Sequence, residues 1–435
     1  MRFGTDGVRG RANTELTPSF ALDLGRAAAK VLRASVAVVG GDSRISTPML
    51  EAAFVAGLAS EGVEVHRLGV TPTPAVAFEA ARLGAMGAVV SASHNPYHDN
   101  GIKLFAPGGT KLPDEVEARI ESVLASLDGY TTEPAAIHGR GDSGAAYVEH
   151  LLGVLSGRDL RGLRIVVDAA NGAASHLAAE VFGRTGAHVV VINDRPDGTN
   201  INAGCGATDP DALRAVVTAE RAHVGIALDG DADRLIAVDE RGDVVDGDHI
   251  LAICAADLRE RGGLHDDTVV VTVMTNLGFR LAMEAAGIRV VETAVGDRYV
   301  LEALAAGGYS LGGEQSGHVI FTDHATTGDG MLTALVLLDV VQRSGRQLSR
   351  LAADAMTQLP QVLVNVRVSQ RPVDVTELIA DELAAAEATL GDTGRVLIRA
   401  SGTEPLVRVM VEATTPDLAA GIAESLATAI RSVCP

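Results

Sequence analysis

"HVGIALDGDADRLIAVDE", residues 223–240, sets an acidic turn between two apolar runs. The runs "VGIAL" and "LIAV" are too short for ordinary helices and read as strands, so the segment is strand, loop, strand. Asp229, Asp231 and Asp233 alternate, and in an extended segment their carboxylates point to one side. Three carboxylates held together repel and raise one another's pKa, whereas a hard divalent cation with oxygen ligands relieves that cost. A solvated acidic turn is the ordinary reading of D-x-D-x-D, but the buried strands on both sides count against it. A calcium EF-hand also fails: Glu240 stands at its twelfth position, yet the sixth is Arg234 where the turn needs Gly, and strands replace the required helices. Mg²⁺ is the expected ion, with open positions for waters and phosphate oxygens.

The same pattern of an apolar strand running into a polar loop recurs twice. "GAVVSAS" (87–93) leads into "SASHNPYHDNGIKLF" (91–105), which gathers Ser93, His94 and Lys103 where Gly, Asp or Asn would suffice for a turn. "YSLGGE" (309–314) leads into "GGEQSGH" (312–318), where Glu314, Ser316 and His318 form a set suited to the hydroxyls of a sugar. Taken alone, His318 reads as a satisfied turn histidine. Ligands of open α/β sheets bind beyond the carboxyl ends of strands, so three such loops are expected to face one cleft.

An open metal shell implies a phosphate, and two stretches offer to hold one. "RASGTEPLVR" (399–408) has hydroxyls at Ser401 and Thr403, Gly402 to bare backbone amides, and Arg399 and Arg408 on either side. Amides and hydroxyls in such a turn form a phosphate nest, and arginine forks add bidentate contacts. A surface turn is the ordinary reading of S-G-T alone. The N-terminal "FGTDGVRGR", with Arg9 and Arg11 in a glycine-rich stretch, reads either as a second anion-binding element or as a flexible start.

Apolar Val/Ile runs alternate with helical periodicity through most of the chain, the pattern of α/β layers. Strands fit 36–41, 63–69 and 87–93 in the first third, with helices near 18–34, 47–60, 74–83 and 113–127. The polar, Gly-rich stretch 127–146 marks a boundary region. Four domains are expected, at 1–150, 151–250, 251–360 and 361–435. The last, with strands "QVLVNVRV", "GRVLIRA" and "LVRVMVEA" and helices at 374–390 and 416–432, reads as a small α+β domain with an antiparallel sheet.

The 435 residues, 47% hydrophobic, are enough to fill several globular cores. A net charge of −20 argues against nucleic acid and anionic membranes, and zero Trp with 3% aromatics removes the stacking platforms of single-strand binders. Neither a bilayer-spanning apolar run nor a signal peptide is visible, and the three cysteines lie far apart with no C-x-x-C. A cytoplasmic location is expected.

"FGTDGVRG", "SASHNPYHDNGIKLF", "ALDGDADR", "GGEQSGHVIFTD" and "RASGTEPLVRVMVE" occur in the order of, and together resemble, the motifs of the α-D-phosphohexomutase superfamily, over nearly the whole chain. Gln315 of "GEQSGH", with "VGDRYV" and "TTGDGM", makes it most similar to the members that act on glucosamine phosphates; phosphomannomutase/phosphoglucomutase relatives usually have Met at that loop position. The resemblance implies three similar α/β domains with mixed sheets plus a smaller C-terminal α+β domain around a central cleft. It implies that Ser93 is the phosphorylated serine, which gives its phosphoryl group to the sugar and later takes one back, with Mg²⁺ on Ser93, Asp229, Asp231 and Asp233. Arg9, Arg234 and Lys103 then suit the phosphoryl oxygens, His94 sits beside the serine, and Lys103 or His318 serves as general acid/base. Arg399, Ser401, Gly402, Thr403 and Arg408 would hold the phosphate that is not transferred, and Glu314 and Ser316 the sugar. The implied reaction interconverts glucosamine 6-phosphate and glucosamine 1-phosphate through a bisphosphate, supplying amino-sugar nucleotide synthesis. Relatives of this kind are commonly bacterial and dimeric.

Two rival motifs fail on context. "GYSLG" (308–312) matches the nucleophile elbow G-x-S-x-G, but "GGEQSG" follows where a helix is needed. "GRGDSG" (139–144) matches G-x-G-x-x-G, but no strand is expected before it, and no Walker motif is present.

Overall fold

The three loops singled out above are the turns of three mixed sheets. In the computed structural model, which describes residues 2–4, 6–130, 132–139, 144–369, 375–400 and 405–434, four sheets form. The first contains β1 (Val8–Arg11), β2 (Val36–Gly41), β3 (Glu64–Val70), β4 (Met86–Val90), β5 (Asp99–Phe105) and β6 (Ile137–Gly139) in the order β1-β5-β4-β2-β3-β6. The second contains β7 (Arg164–Asp168), β8 (His188–Ile192), β9 (Val224–Leu228), β10 (Leu235–Asp239) and β11 (Val244–Val245) in the order β11-β10-β9-β7-β8. The third contains β12 (Thr268–Thr272), β13 (Arg289–Thr293), β14 (Leu311–Gly313) and β15 (Val319–Phe321) in the order β13-β12-β14-β15.

One rule holds in all three. The strand before the polar loop runs parallel to its inner neighbour (β4 to β2, β9 to β7, β14 to β12), and the strand after it returns antiparallel. A parallel strand buried on both faces must be apolar throughout, and every residue of β4, β9 and β10 is buried. Ser93, His94 and the three aspartates of the metal loop thereby fall in the turns, whereas Lys103, expected in the loop, lies on β5. The expected α/β class with mixed sheets is what the chain forms.

The N-terminal stretch is not a flexible start. Val8 to Arg11 pair with Ile102 to Asp99, so Arg9 lies opposite Gly101 next to the serine loop. The approach requires glycine at position 7: φ is 77°, and a Cβ there would come within 2.4 Å of the Ile102 carbonyl oxygen. Under this sheet the helices Pro18–Leu32 and Thr47–Ser60 meet glycine to backbone, for a Cβ on Gly25 would lie 2.3 Å from the Phe54 oxygen.

Residues 1–274 and 287–355 form one unit, and 275–286 with 356–435 a second. The second is built on β16 (Gln361–Arg367), β17 (Arg395–Ala400) and β18 (Leu406–Glu412), antiparallel in the order β16-β18-β17, the small α+β domain expected. The helix expected at 374–390 is two pieces, Val375–Leu378 and Ala380–Leu390, broken where Ile379 leaves helical geometry; 370–374 lie outside the described residues. Fully buried Glu412 ties the unit together: it accepts from Arg395 Nε at 2.7 Å and from the Leu277 amide at 2.8 Å. Among the described residues no helix is long and apolar enough to cross a membrane.

Candidate active site

The loop after β4 turns at Ser93, whose φ of 52° is unusual for a residue with a side chain. Its conformation is held by partners from three segments. The Ser93 amide donates to Ser91 Oγ at 2.9 Å, while its carbonyl accepts from Arg44 Nη2 at 3.0 Å and from Asn202 Nδ2 at 2.9 Å. Arg44 is itself locked by a fully buried ion pair with Asp42, and also donates to the Asn95 carbonyl. Removing one partner of a buried pair strands the other, at a cost of about 3–5 kcal/mol. The Asp42–Arg44 pair therefore fixes where Ser93 sits.

With the backbone so fixed, Ser93 Oγ donates to Asp229 Oδ2 at 2.6 Å and lies 3.4 Å from His94 Nδ1. Asp229, Asp231 and Asp233 each offer an oxygen within 4.8 Å of the others, and all three are buried. Each carboxylate spends an oxygen on the protein. Asp229 Oδ1 accepts the Arg234 amide at 3.2 Å, Asp231 Oδ2 accepts Thr73 Oγ1 at 2.6 Å, and Asp233 Oδ2 lies 3.4 Å from Lys103 Nζ. The remaining oxygens of Asp231 and Asp233 are buried without a hydrogen-bond donor. Buried carboxylate oxygens left in that state are costly unless a cation uses them, and an all-oxygen donor set fits a hard metal ion. The triad is suited to hold one.

The electrostatics agree. Burial and the two neighbouring carboxylates push Asp231 well above the usual carboxylate range, and burial with Asp233 raises Asp229. Asp233 goes the other way: burial opposes its ionisation, but His318 and Lys103 hold it well below the usual range.

Above the triad lies a cavity of about 230 Å³ bordered by Asp6, Arg9, His94, Asp233, Arg234, Asp297, Glu314 and His318 among others. It brings together loops from all three sheets and the N-terminal strand, and six of these eight residues were singled out from sequence. Burial, then Arg234 and Arg9, lower His94 to a pKa of about 4, so near neutral pH it is an uncharged imidazole. Lys103 is pinned between Asp6 Oδ1 at 2.6 Å and Asp233 Oδ2. Burial would discharge it, but those carboxylates raise its pKa, and it stays a cation. His318 Nε2 accepts the Gly328 amide at 3.3 Å, which leaves the ring proton on Nδ1, 3.6 Å from Asp233 Oδ1; burial opposes charge on the ring, but Asp233 raises its pKa. Glu314 accepts the Gly296 amide at 3.2 Å and lies 3.4 Å from Ser316 Oγ. Gln315 Nε2 is turned to Asp246 at 3.4 Å.

In the second unit Arg399 and Arg408 face each other directly across the β17–β18 pair, both exposed, so two like charges share one face of that sheet. Ser401, Gly402 and Thr403 lie outside the described residues.

Several site residues were not singled out from sequence. Asp6 pairs with Arg9 and Lys103, and Lys111 bridges Asp6 and Asp297. Asp6 and Asp297 lie inside "FGTDGVRG" and "VGDRYV"; Asp42 and Arg44 lie in "VVGGDSR" (38–44), another strand end followed by a polar loop. Thr73 carried no motif.

Models of the phosphoglucomutase/phosphomannomutase family match the chain throughout: alpha/beta/alpha domain I at residues 1–131, domain II at 145–242, domain III at 246–359 and the C-terminal domain at 363–429. A phosphoglucosamine mutase of Thermobifida fusca is 57% identical over 440 residues, covering 99% of this chain and 98% of the relative. Among solved structures, a phosphoglucomutase/phosphomannomutase family protein from Burkholderia thailandensis superposes with a TM-score of 0.84 at 26% identity, over 98% of this chain and 97% of that one. An Aspergillus fumigatus N-acetylphosphoglucosamine mutase, solved with GlcNAc-6P and magnesium, shares the fold at a TM-score of 0.71 and 21% identity, over 100% of this chain and 96% of its own. With relatives and family models of this extent, the chain belongs to the α-D-phosphohexomutase superfamily, among the phosphoglucosamine mutases.

Proposed function

We propose that the enzyme interconverts glucosamine 6-phosphate and glucosamine 1-phosphate by way of a phosphorylated Ser93 and a bisphosphorylated sugar. The observation that carries this reading is the Ser93 hydroxyl, buried, held at a left-handed φ and bonded at 2.6 Å to a carboxylate of the metal triad. A nucleophile so placed carries its phosphoryl group directly at the charge-neutralising centre.

In the first half-reaction a sugar hydroxyl oxygen bonds to phosphorus as the P–Oγ bond of phosphoserine breaks. The proton lost by the sugar hydroxyl is matched by the one gained at the leaving Ser93 Oγ, with Lys103 or His318 as the general acid/base of that exchange, and Ser93 ends as the free hydroxyl. The bisphosphate turns end for end, and the second half-reaction returns the other phosphoryl group to Ser93 by the same exchange. Such transfer passes through a loose transition state and needs positioning and positive charge above all. Lys103, fixed as a cation, with Arg9 and Arg234 supplies that charge, and neutral His94 packs beside the serine. Asp229, Asp231 and Asp233, with phosphorylated Ser93, would hold Mg²⁺, which would neutralise phosphoryl charge as a Lewis acid. Glu314 and Ser316 take the sugar hydroxyls. Arg399, Ser401, Gly402, Thr403 and Arg408 hold the phosphate that is not transferred.

Phosphorus NMR of the phosphorylated, Mg²⁺-loaded enzyme with glucosamine 6-phosphate, glucose 1-phosphate and mannose 1-phosphate in separate tubes tests the substrate. Interconversion of the amino sugar by a wide margin is expected. Preference for the neutral sugars would move the substrate to that of phosphomannomutase/phosphoglucomutase while keeping the chemistry.

A further inference from the structure

The metal loop is anchored by three separate segments. Its successive carbonyls, at Gly230, Asp231 and Ala232, accept from the amides of Ala173 at 2.8 Å, Thr73 at 3.0 Å and Gly330 at 3.0 Å. Ala173 follows β7, Thr73 opens the helix Thr73–Leu83 beside the first sheet, and Gly330 opens the helix Gly330–Ser344 after the third. Only one of these anchors also reaches a ligand side chain. Thr73 is fully buried, and its Oγ1 donates to Asp231 Oδ2 at 2.6 Å.

That bond divides the labour of the carboxylate. Oδ2 is occupied by the hydroxyl, and Oδ1 is left buried with no donor. A carboxylate gripped on one oxygen has its rotation fixed and presents the other, which is how outer partners orient metal ligands. The grip is stiff by construction. "TPTP" (71–74) places a proline on each side of Thr73, fixing φ at both neighbours, and threonine is itself branched at Cβ. The one hydrogen bond of the Thr73 hydroxyl among the described residues is the one to Asp231.

We infer that Thr73 is a positioning residue for the metal centre, its hydroxyl and amide together holding Asp231 so that the free Oδ1 faces the ion. The inference rests on the triad being a metal centre and is independent of which sugar is turned over.

The test is Mn²⁺ binding, read by electron paramagnetic resonance, to the full chain and to two variants. Thr73→Val keeps the shape and removes the hydroxyl; Thr73→Ser keeps the hydroxyl and removes the methyl. Partners of this kind are worth about 10–100-fold in metal affinity. Thr73→Val is expected to bind Mn²⁺ weaker by that factor, with Thr73→Ser close to wild type. In turnover, the Val variant needs more Mg²⁺ to saturate. Equal Mn²⁺ affinity in folded Thr73→Val and wild type would overturn the role of Thr73. Wild-type protein that binds no Mn²⁺ would overturn the metal centre itself. Should the valine variant not fold, Thr73→Ala against Thr73→Ser makes the same comparison: a hydroxyl-dependent loss of affinity supports the role, and equal affinity overturns it.

Discussion

Ser93→Ala loses turnover by about 10³-fold or more, because the variant has no oxygen to carry the phosphoryl group between the two halves of the reaction. The loss is chemical and not a failure to fold. Alanine carries the same Cβ as serine and meets the same cost at φ 52°, and the Arg44 and Asn202 bonds to the loop use backbone carbonyls. Ser93→Gly sharpens the point, since glycine removes Oγ and relieves the left-handed strain together. Both variants are expected to unfold near the wild-type midpoint, measured by thermal denaturation, and both to be inactive by phosphorus NMR. Near wild-type turnover in either would remove Ser93 from the reaction.

Asp231→Asn separates the metal from the fold. Burial and two neighbouring carboxylates already push Asp231 toward its neutral form when no cation is near, and asparagine reproduces that form in shape and charge. The metal-free variant should therefore be at least as stable as metal-free wild type. The metal-bound states should differ greatly: a ligand carboxylate is lost, and affinity falls by more than the about 10–100-fold expected of an outer partner. Wild type gains unfolding midpoint with added Mg²⁺ by mass action, and the variant should gain little. An unchanged rate with unchanged Mg²⁺ dependence would take the loop out of the site.

What could be read from sequence depended on how local its cause was. The strand–loop–strand at 223–240 was legible because two apolar runs and three alternating aspartates sit within 18 residues. The loops at 91–105 and 312–318 were legible for the same reason, and the sheets show why one pattern served three times: each loop is the turn at which a parallel strand meets an antiparallel one. That Ser93 and Asp229, 136 residues apart, come together was implied by the family resemblance and not by either motif alone.

Thr73 had no such signal, since an ordinary threonine between prolines matters only through a carboxylate 158 residues away. Asp42 and Arg44 act on the backbone of another loop, which no side-chain pattern reveals. Lys111 is made a site residue by Asp6 and Asp297, 105 residues before it and 186 after it in chain position respectively. The helices at 247–260 and 277–285 were not anticipated either, though each carried a cap: Asp246 Oδ1 accepts the His249 amide at 3.1 Å, and Asn276 Oδ1 the Gly278 amide at 2.9 Å.

The most direct test follows the phosphoryl group. Enzyme phosphorylated on serine is mixed with one equivalent of glucosamine 6-phosphate, quenched within a turnover, and the peptide spanning residues 91–105 is weighed by mass spectrometry alongside the sugar products. The account predicts that this peptide loses one phosphoryl mass at Ser93 as an equal amount of bisphosphorylated sugar appears. Conversion of the sugar with no phosphoryl group ever on Ser93, or with one that stays there throughout, would contradict it.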